Sequence, residues 1–298
     1  MRHEKPGSRG RDTVQVAATL VEEDADLMTS DPMVSLAAAV AEAPGSYAFL
    51  LGWGVPSDAG VPTGQEVFWR AVADLYRTAH GAEETPADEE VAGWLTEISR
   101  RAKLTYSEVL EEIAPDAPTA QAVLAKHFDQ VEPGPTYELI AQLADRGLVR
   151  VFVTTNFDRL LERALQARGI EPVVITSDAE LATAPSREHA DCYVLKTHGD
   201  YLKETIRNAP AEVAALEPGM TTELQAVFDG YGLVVVGYSG SDEAISNALR
   251  RRTRRHGLYW TARAELREPA RGLVAEVGGR LIVRQSASEF LGDLEHGT

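Results

Sequence analysis

Short, continuous apolar runs alternate along the chain with longer stretches in which apolar residues return every three or four positions. The short runs are 47–52 (YAFLLG), 149–155 (VRVFVTT), 172–176 (PVVIT), 192–197 (CYVLKT), 232–237 (GLVVVG), 257–261 (GLYWT) and 280–284 (RLIVR). Runs apolar on both faces suit strands buried on both faces, as in a parallel sheet between helical layers. The intervening stretches supply the helices. Residues 157–167 carry Leu160, Leu161 and Leu165 at helical spacing, with Gly169 as the stop. Residues 135–146 begin on a proline and end before Gly147. Residues 242–255 and 264–277 repeat the theme. Strand–helix alternation with right-handed crossovers predicts an α/β fold, a Rossmann-like doubly wound parallel sheet.

The long interval between the first two runs has no strand signal. Residues 66–80, 88–103, 105–113 and 119–128 read as helices, separated by acidic loops such as HGAEETPADEE. The expectation is one domain over 31–298, with a helical insertion lobe at about 66–135. Residues 1–30 are polar and of mixed charge and read as a flexible tail without the apolar core of a signal peptide. No apolar run approaches the ~20 residues of a membrane helix.

Composition narrows the function. Asp and Glu number 46 against 29 Lys and Arg, a net charge of −17. Direct nucleic-acid binding and docking on an anionic membrane are therefore not expected. Cys192 is the only cysteine, which rules out an intramolecular disulfide and a thiolate-built zinc site and suits a cytoplasmic location. Against this acidic background stands a basic run, Arg250, Arg251, Arg252, Arg254 and Arg255. It complements a helix C-terminus, forms a subunit or partner interface with acidic surface such as residues 83–90, or, least favoured, touches nucleic acid.

Four strand ends carry the candidate chemistry. The first leads into Gly52, Gly54, Ser57, Gly60 and Pro62; glycines there let the backbone approach a phosphate, or simply make a tight turn. The second leads into Thr155, Asn156 and Asp158, which read as ligand contacts or as helix caps. The third ends at His198-Gly199-Asp200, and a histidine at a strand's carboxyl end suits acid–base work. The fourth leads into Gly237, Ser239, Gly240, Ser241 and Asp242, a phosphate- or ribose-binding turn, or a capping turn with Ser241 at the helix start. Together they outline one crevice sized for a dinucleotide, with no metal-ligand spacing, Walker lysine or nucleophile elbow.

In order and spacing these motifs resemble the sirtuin fold, and more closely the SIR2-like domains of bacterial antiviral-defence proteins. The resemblance rests on Gly52-Trp53-Gly54-Val55-Pro56 with Gly60-Val61-Pro62, on Thr154-Thr155-Asn156-Phe157-Asp158, on His198-Gly199 and on Gly237-Tyr238-Ser239. It implies a sirtuin-like sheet without the zinc ribbon of deacylating members, since one cysteine cannot build it. It implies NAD as substrate, with no metal. Asn156 would orient water or the ribose hydroxyls, His198 would be the general base, and Asp158 would hold the nicotinamide end or Asn156. Gly52, Gly54, Gly237 and Ser239 would surround the phosphates, and Asp242 would accept a ribose hydroxyl. Trp53 and Pro56 replace the Ala and Ser of that family's loop, so the loop is expected to sit differently or to bind NAD less well. The implied activity is an NAD+ glycohydrolase that depletes NAD in defence, working as a homo-oligomer or with a partner ATPase or sensor. Other implied readings are a regulatory module that binds NAD or ADP-ribose without cleaving it, and a zinc-less deacylase.

Overall fold

A computed structural model describes residues 31–55, 131–200, 216–253 and 256–298, with single positions between 70 and 128. The expected tail, most of the expected insertion lobe, Pro56, Ser57, Gly60, Pro62, Arg254, Arg255 and residues 83–89 lie outside the described residues.

Helix α1 (Pro32–Glu42) is capped by Asp31, whose side chain accepts a hydrogen bond from Met33 N at 2.8 Å. Strand β1 is Tyr47–Leu51; the next described elements are α2 (Pro135–Asp145), β2 (Val149–Thr154) and α3 (Leu160–Gln166). Then come β3 (Val173–Ile175), α4 (Asp178–Leu181), β4 (Tyr193–Lys196), α5 (Pro218–Gly230) and β5 (Gly232–Val236). The chain ends with α6 (Glu243–Arg251), β6 (Leu258–Ala262), α7 (Ala270–Val277), β7 (Arg280–Val283) and α8 (Ala287–Gly297). The strands form one seven-stranded sheet in the order β3-β4-β2-β1-β5-β6-β7, and every pair is parallel.

The pleat explains the apolar runs. In β1, Tyr47, Phe49 and Leu51 face one core with Ile140, Leu161 and Phe290. Ala48 and Leu50 face the other, with Leu224, Ile245 and Leu273. Helices α1, α2, α3 and α8 thus cover one face, and α5, α6 and α7 the other. Burial of each large side chain contributes roughly 1.5–3 kcal/mol.

Three helices differ from expectation at their ends. The helix expected at 157–167 begins at Leu160, because residues 156–159 form a polar loop in which Asp158 Oδ1 accepts from Leu160 N at 3.0 Å. The helix expected at 264–277 begins at Ala270; Pro269 precedes it and has no N–H for an intrahelical bond. The helix expected at 242–255 ends at Arg251. Arg252 leaves the helical conformation with ψ 132 and is buried. Its guanidinium donates to the carbonyls of Phe228, Tyr231, His256 and Gly257. Arg252 is therefore not an interface charge, and the basic cluster loses its middle member. Arg250 pairs with Glu276 at 2.9 Å. No described helix is long and apolar enough to cross a membrane.

Strand β1 is the centre from which the order runs outward in both directions. The loops after β1, β2, β4 and β5 meet at the carboxyl edge there, the place where open parallel sheets bind ligands.

Candidate functional site

Register brings the candidate residues to one edge. Leu51 pairs with Thr154 on one side and Val236 on the other, and Thr154 pairs with Lys196. Gly52, Asn156, His198 and Gly237 each follow within two residues of those pairs.

The β1 and β5 loops touch through their backbones. Gly52 N donates to Val236 O at 2.9 Å and Gly54 N to Gly237 O at 2.8 Å. A Cβ on Gly52 would lie 2.6 Å from Gly237 O, and Gly237 itself has φ 67, a conformation that favours glycine. These glycines are thus required by contact between two protein loops, whatever else they bind. Trp53, expected to obstruct the loop, turns its indole edge-on to buried Phe157, with centroids 4.7 Å apart.

Asn156 is buried at the end of β2. Its Nδ2 donates to Gly52 O and to the Tyr137 hydroxyl, each at 3.3 Å, and its backbone N donates to Thr154 Oγ1 at 2.9 Å. Among the described residues its Oδ1 has no partner, and neither has buried Thr155 Oγ1. A buried polar oxygen without a partner costs about 1–3 kcal/mol, so a site that keeps one gains by binding a ligand donor. Asn156 is therefore not a helix cap. Asp158 is closer to one: it caps Leu160. Burial pushes its carboxyl up to about 6, against a lowering by Lys196. Tyr137 is held well above its ordinary range, first by burial and then by Asp158, so it stays a neutral phenol.

His198 follows β4. Its Nε2 meets Asp242 Oδ2 in a short hydrogen bond, while Asp242 Oδ1 caps α6 by accepting from Ile245 N at 3.1 Å. The Asp242 carboxylate expected on a ribose thus already has two protein partners, and it is Asp242, not Ser241, that caps the helix. Tyr238 fixes it further: the phenol oxygen accepts from Asp242 N at 3.1 Å and donates to Asp242 O at 3.2 Å. Ser239 and Ser241 hydrogen-bond each other at 2.8 Å, with Ser239 exposed. A pocket of about 100 Å³ opens beside Gly54 and Gly237, lined also by Thr261, Arg263, Arg284 and Ser286.

Sequence reasoning missed Tyr137, the contacts of Tyr238, and the buried pairing of Lys196 with Glu162 and Asp200. Lys196 was signalled by its place as the one charge in an apolar strand. Among the described residues no group of three or more His, Cys, Asp or Glu side chains is placed to hold a metal ion.

An all-parallel sheet with glycine-rich and polar loops at its switch point defines a doubly wound, Rossmann-like α/β protein. Residues 150–282 match the SIR2-like domain family, and the chain carries the sirtuin fold. A crystal structure of a SIR2 homologue–NAD complex superimposes with a TM-score of 0.51 at 15% identity, covering 88% of this chain and 93% of that one. A mutant Sir2 homologue in complex with ADP-ribose gives 0.51 at 14% identity, covering 88% and 95%. No curated protein matches the sequence.

Proposed function

We propose that this chain is an NAD+ glycohydrolase that cleaves the nicotinamide–ribose bond with water, giving nicotinamide, ADP-ribose and a proton. The observation that carries the reading is the buried Asn156 amide, whose Oδ1 has no partner among the described residues, in the loop next to a His198–Asp242 pair. The structurally similar Sir2 homologues in complex with NAD and with ADP-ribose support the ligand class.

The chemistry asks little of an acid, because the cationic nicotinamide ring becomes a neutral molecule as it leaves the ribose. The glycosidic C–N bond breaks with its electron pair going to nitrogen, through an oxocarbenium-like state. Asn156 Oδ1 accepts from the attacking water or from a ribose hydroxyl. With Nε2–H held by Asp242, His198 keeps Nδ1 to take the water proton. Gly52, Gly54, Thr155, Gly237 and Ser239, with Ser57, Gly60 and Pro62, hold the dinucleotide; Asp158 supports the Asn156 loop.

Unrestrained NAD cleavage would harm the cell that makes it. We therefore assign the activity to a defence effector held silent until homo-oligomeric assembly, or a partner ATPase or sensor, releases it. Purified protein, over a range of concentrations that spans its self-assembly, is incubated with NAD+ and the products are separated by chromatography. Equimolar nicotinamide and ADP-ribose, lost in Asn156→Ala and His198→Ala variants that still melt cooperatively, is the expected result. Binding of ADP-ribose without nicotinamide release would replace the enzyme by a sensing module. Release only with an acylated peptide would indicate a deacylase.

A further inference from the structure

Beneath the edge lies a charge cluster that the proposed chemistry does not use. Lys196 ends β4 and is fully buried, with a relative exposure of 0%, next to Glu162 at 2% and Asp200 at 1%. Its ammonium donates to Glu162 Oε1 at 2.8 Å, to Asp200 Oδ2 at 3.0 Å, and to the backbone carbonyls of Phe157 and Asp158. Arg159 approaches Asp200 from the rim, at 3.8 Å.

We propose that Lys196 is a positioning residue, a clamp that fixes the Asn156 loop and the His198 loop against each other so that both groups address one ligand. The carbonyls it holds belong to the two residues directly after Asn156. The carboxylate it holds belongs to the second residue after His198. A single ammonium thus ties the two polar loops together at the level where β2 and β4 are in register, Thr154 against Lys196. An ion cluster so deeply buried is poorly explained by stability alone, because apolar side chains of similar volume often stabilise a core as well or better. What the ammonium provides and a hydrocarbon cannot is direction: several donors aimed at acceptors on two loops and one helix. The ionised form is kept despite burial, which alone would lower its pKa, because Glu162, Asp200 and Asp158 raise it.

This inference rests on the proposed function for its kinetic readout only. Lys196→Met alone would leave buried carboxylates without their cation and is expected to fold poorly. The test therefore uses the neutral-core variant Lys196→Met/Glu162→Met/Asp200→Asn, with Glu162→Gln, which keeps an acceptor, as the control. If the wild type cleaves NAD+, the neutral-core variant should melt cooperatively, keep KM within about threefold and lose about 100-fold in kcat, the cost of misplacing catalytic groups by an ångström. A kcat within about threefold of wild type would overturn the clamp. If the wild type cleaves nothing at any protein concentration that spans its assembly, the clamp is judged without turnover. The His198 imidazole resonance, assigned with His198→Gln, should then shift in the neutral-core variant and stay in place in Glu162→Gln. An unmoved resonance would overturn it.

Discussion

Asp158→Asn should make the protein more stable at neutral pH. The buried cluster holds one ammonium, Lys196, against Glu162 and Asp200, and an ionised Asp158 adds a further negative charge. Burial therefore raises the Asp158 carboxyl from an ordinary 3.8 to about 6, with Lys196 only partly offsetting it. A raised folded-state pKa means that the folded protein binds the proton more tightly than the unfolded chain. The stability this provides is fully present below pH 3.8 and is lost as pH rises through about 6. At about 1.36 kcal/mol per pKa unit, the gap is worth about 3 kcal/mol. Asparagine never ionises, and its own Oδ1 can still accept from Leu160 N, so the cap survives. Urea unfolding of both proteins at several pH values between 3.5 and 8 measures the difference, in which groups that titrate alike cancel. The variant should match the wild type at the acid end and exceed it by about 3 kcal/mol at pH 8. A difference that does not change with pH, or a variant less stable at pH 8, would refute the reasoning.

Other consequences follow from single contacts. Asp242→Asn keeps the α6 cap through Oδ1 but loses the carboxylate on His198; kcat for NAD+ should fall by about 10- to 100-fold with stability within about 1 kcal/mol, read by turnover and urea melts. Gly52→Ala puts a methyl 2.6 Å from Gly237 O and Tyr238 Cα and should cost about 1–3 kcal/mol in denaturant unfolding. EDTA should change neither melting temperature nor turnover, since the chain has one cysteine and its described residues offer no metal-binding group; activity lost to EDTA and restored by zinc would contradict the site.

The sheet was legible because buried parallel strands leave continuous apolar runs. All seven expected runs are strands, with ends within a residue or two. Helix ends were less legible, because local polar chemistry decides them. Asp158 starts α3 three residues late by capping Leu160, and Arg252 ends α6 early because its guanidinium is drawn to four carbonyls. Helices α1, α4 and α5 were not anticipated. At the site, the identity of polar residues at strand ends could be read, but their pairing could not. Asp242 stands 44 positions from His198, and only the sheet order brings β4 and β5 to either side of β2 and β1. Tyr137 was hidden because an aromatic on a helix reads as core until its hydroxyl is seen at Asn156.

Those pairings run around the crevice as a closed circuit. Asn156 bonds Gly52, whose loop bonds Gly237; Tyr238 next holds Asp242, and Asp242 holds His198. Asp200, two residues on, meets Lys196, and Lys196 returns to the carbonyl of Asp158 beside Asn156. In a closed circuit each contact is supported from both sides, so opening it at one point should weaken the constraint everywhere. Tyr238→Phe opens the circuit by removing two bonds to Asp242, and Tyr137→Phe loosens Asn156, a member of the circuit, by removing one. If the two sites acted independently, their losses in kcat would multiply. If the circuit is what fixes Asn156 against His198, the first opening does most of the damage, and the double variant should lose clearly less than the product of the single losses. Measuring kcat for the wild type, both singles and the double decides between these outcomes. A double variant at the full product would show that Asn156 and His198 are held separately, each by its own loop.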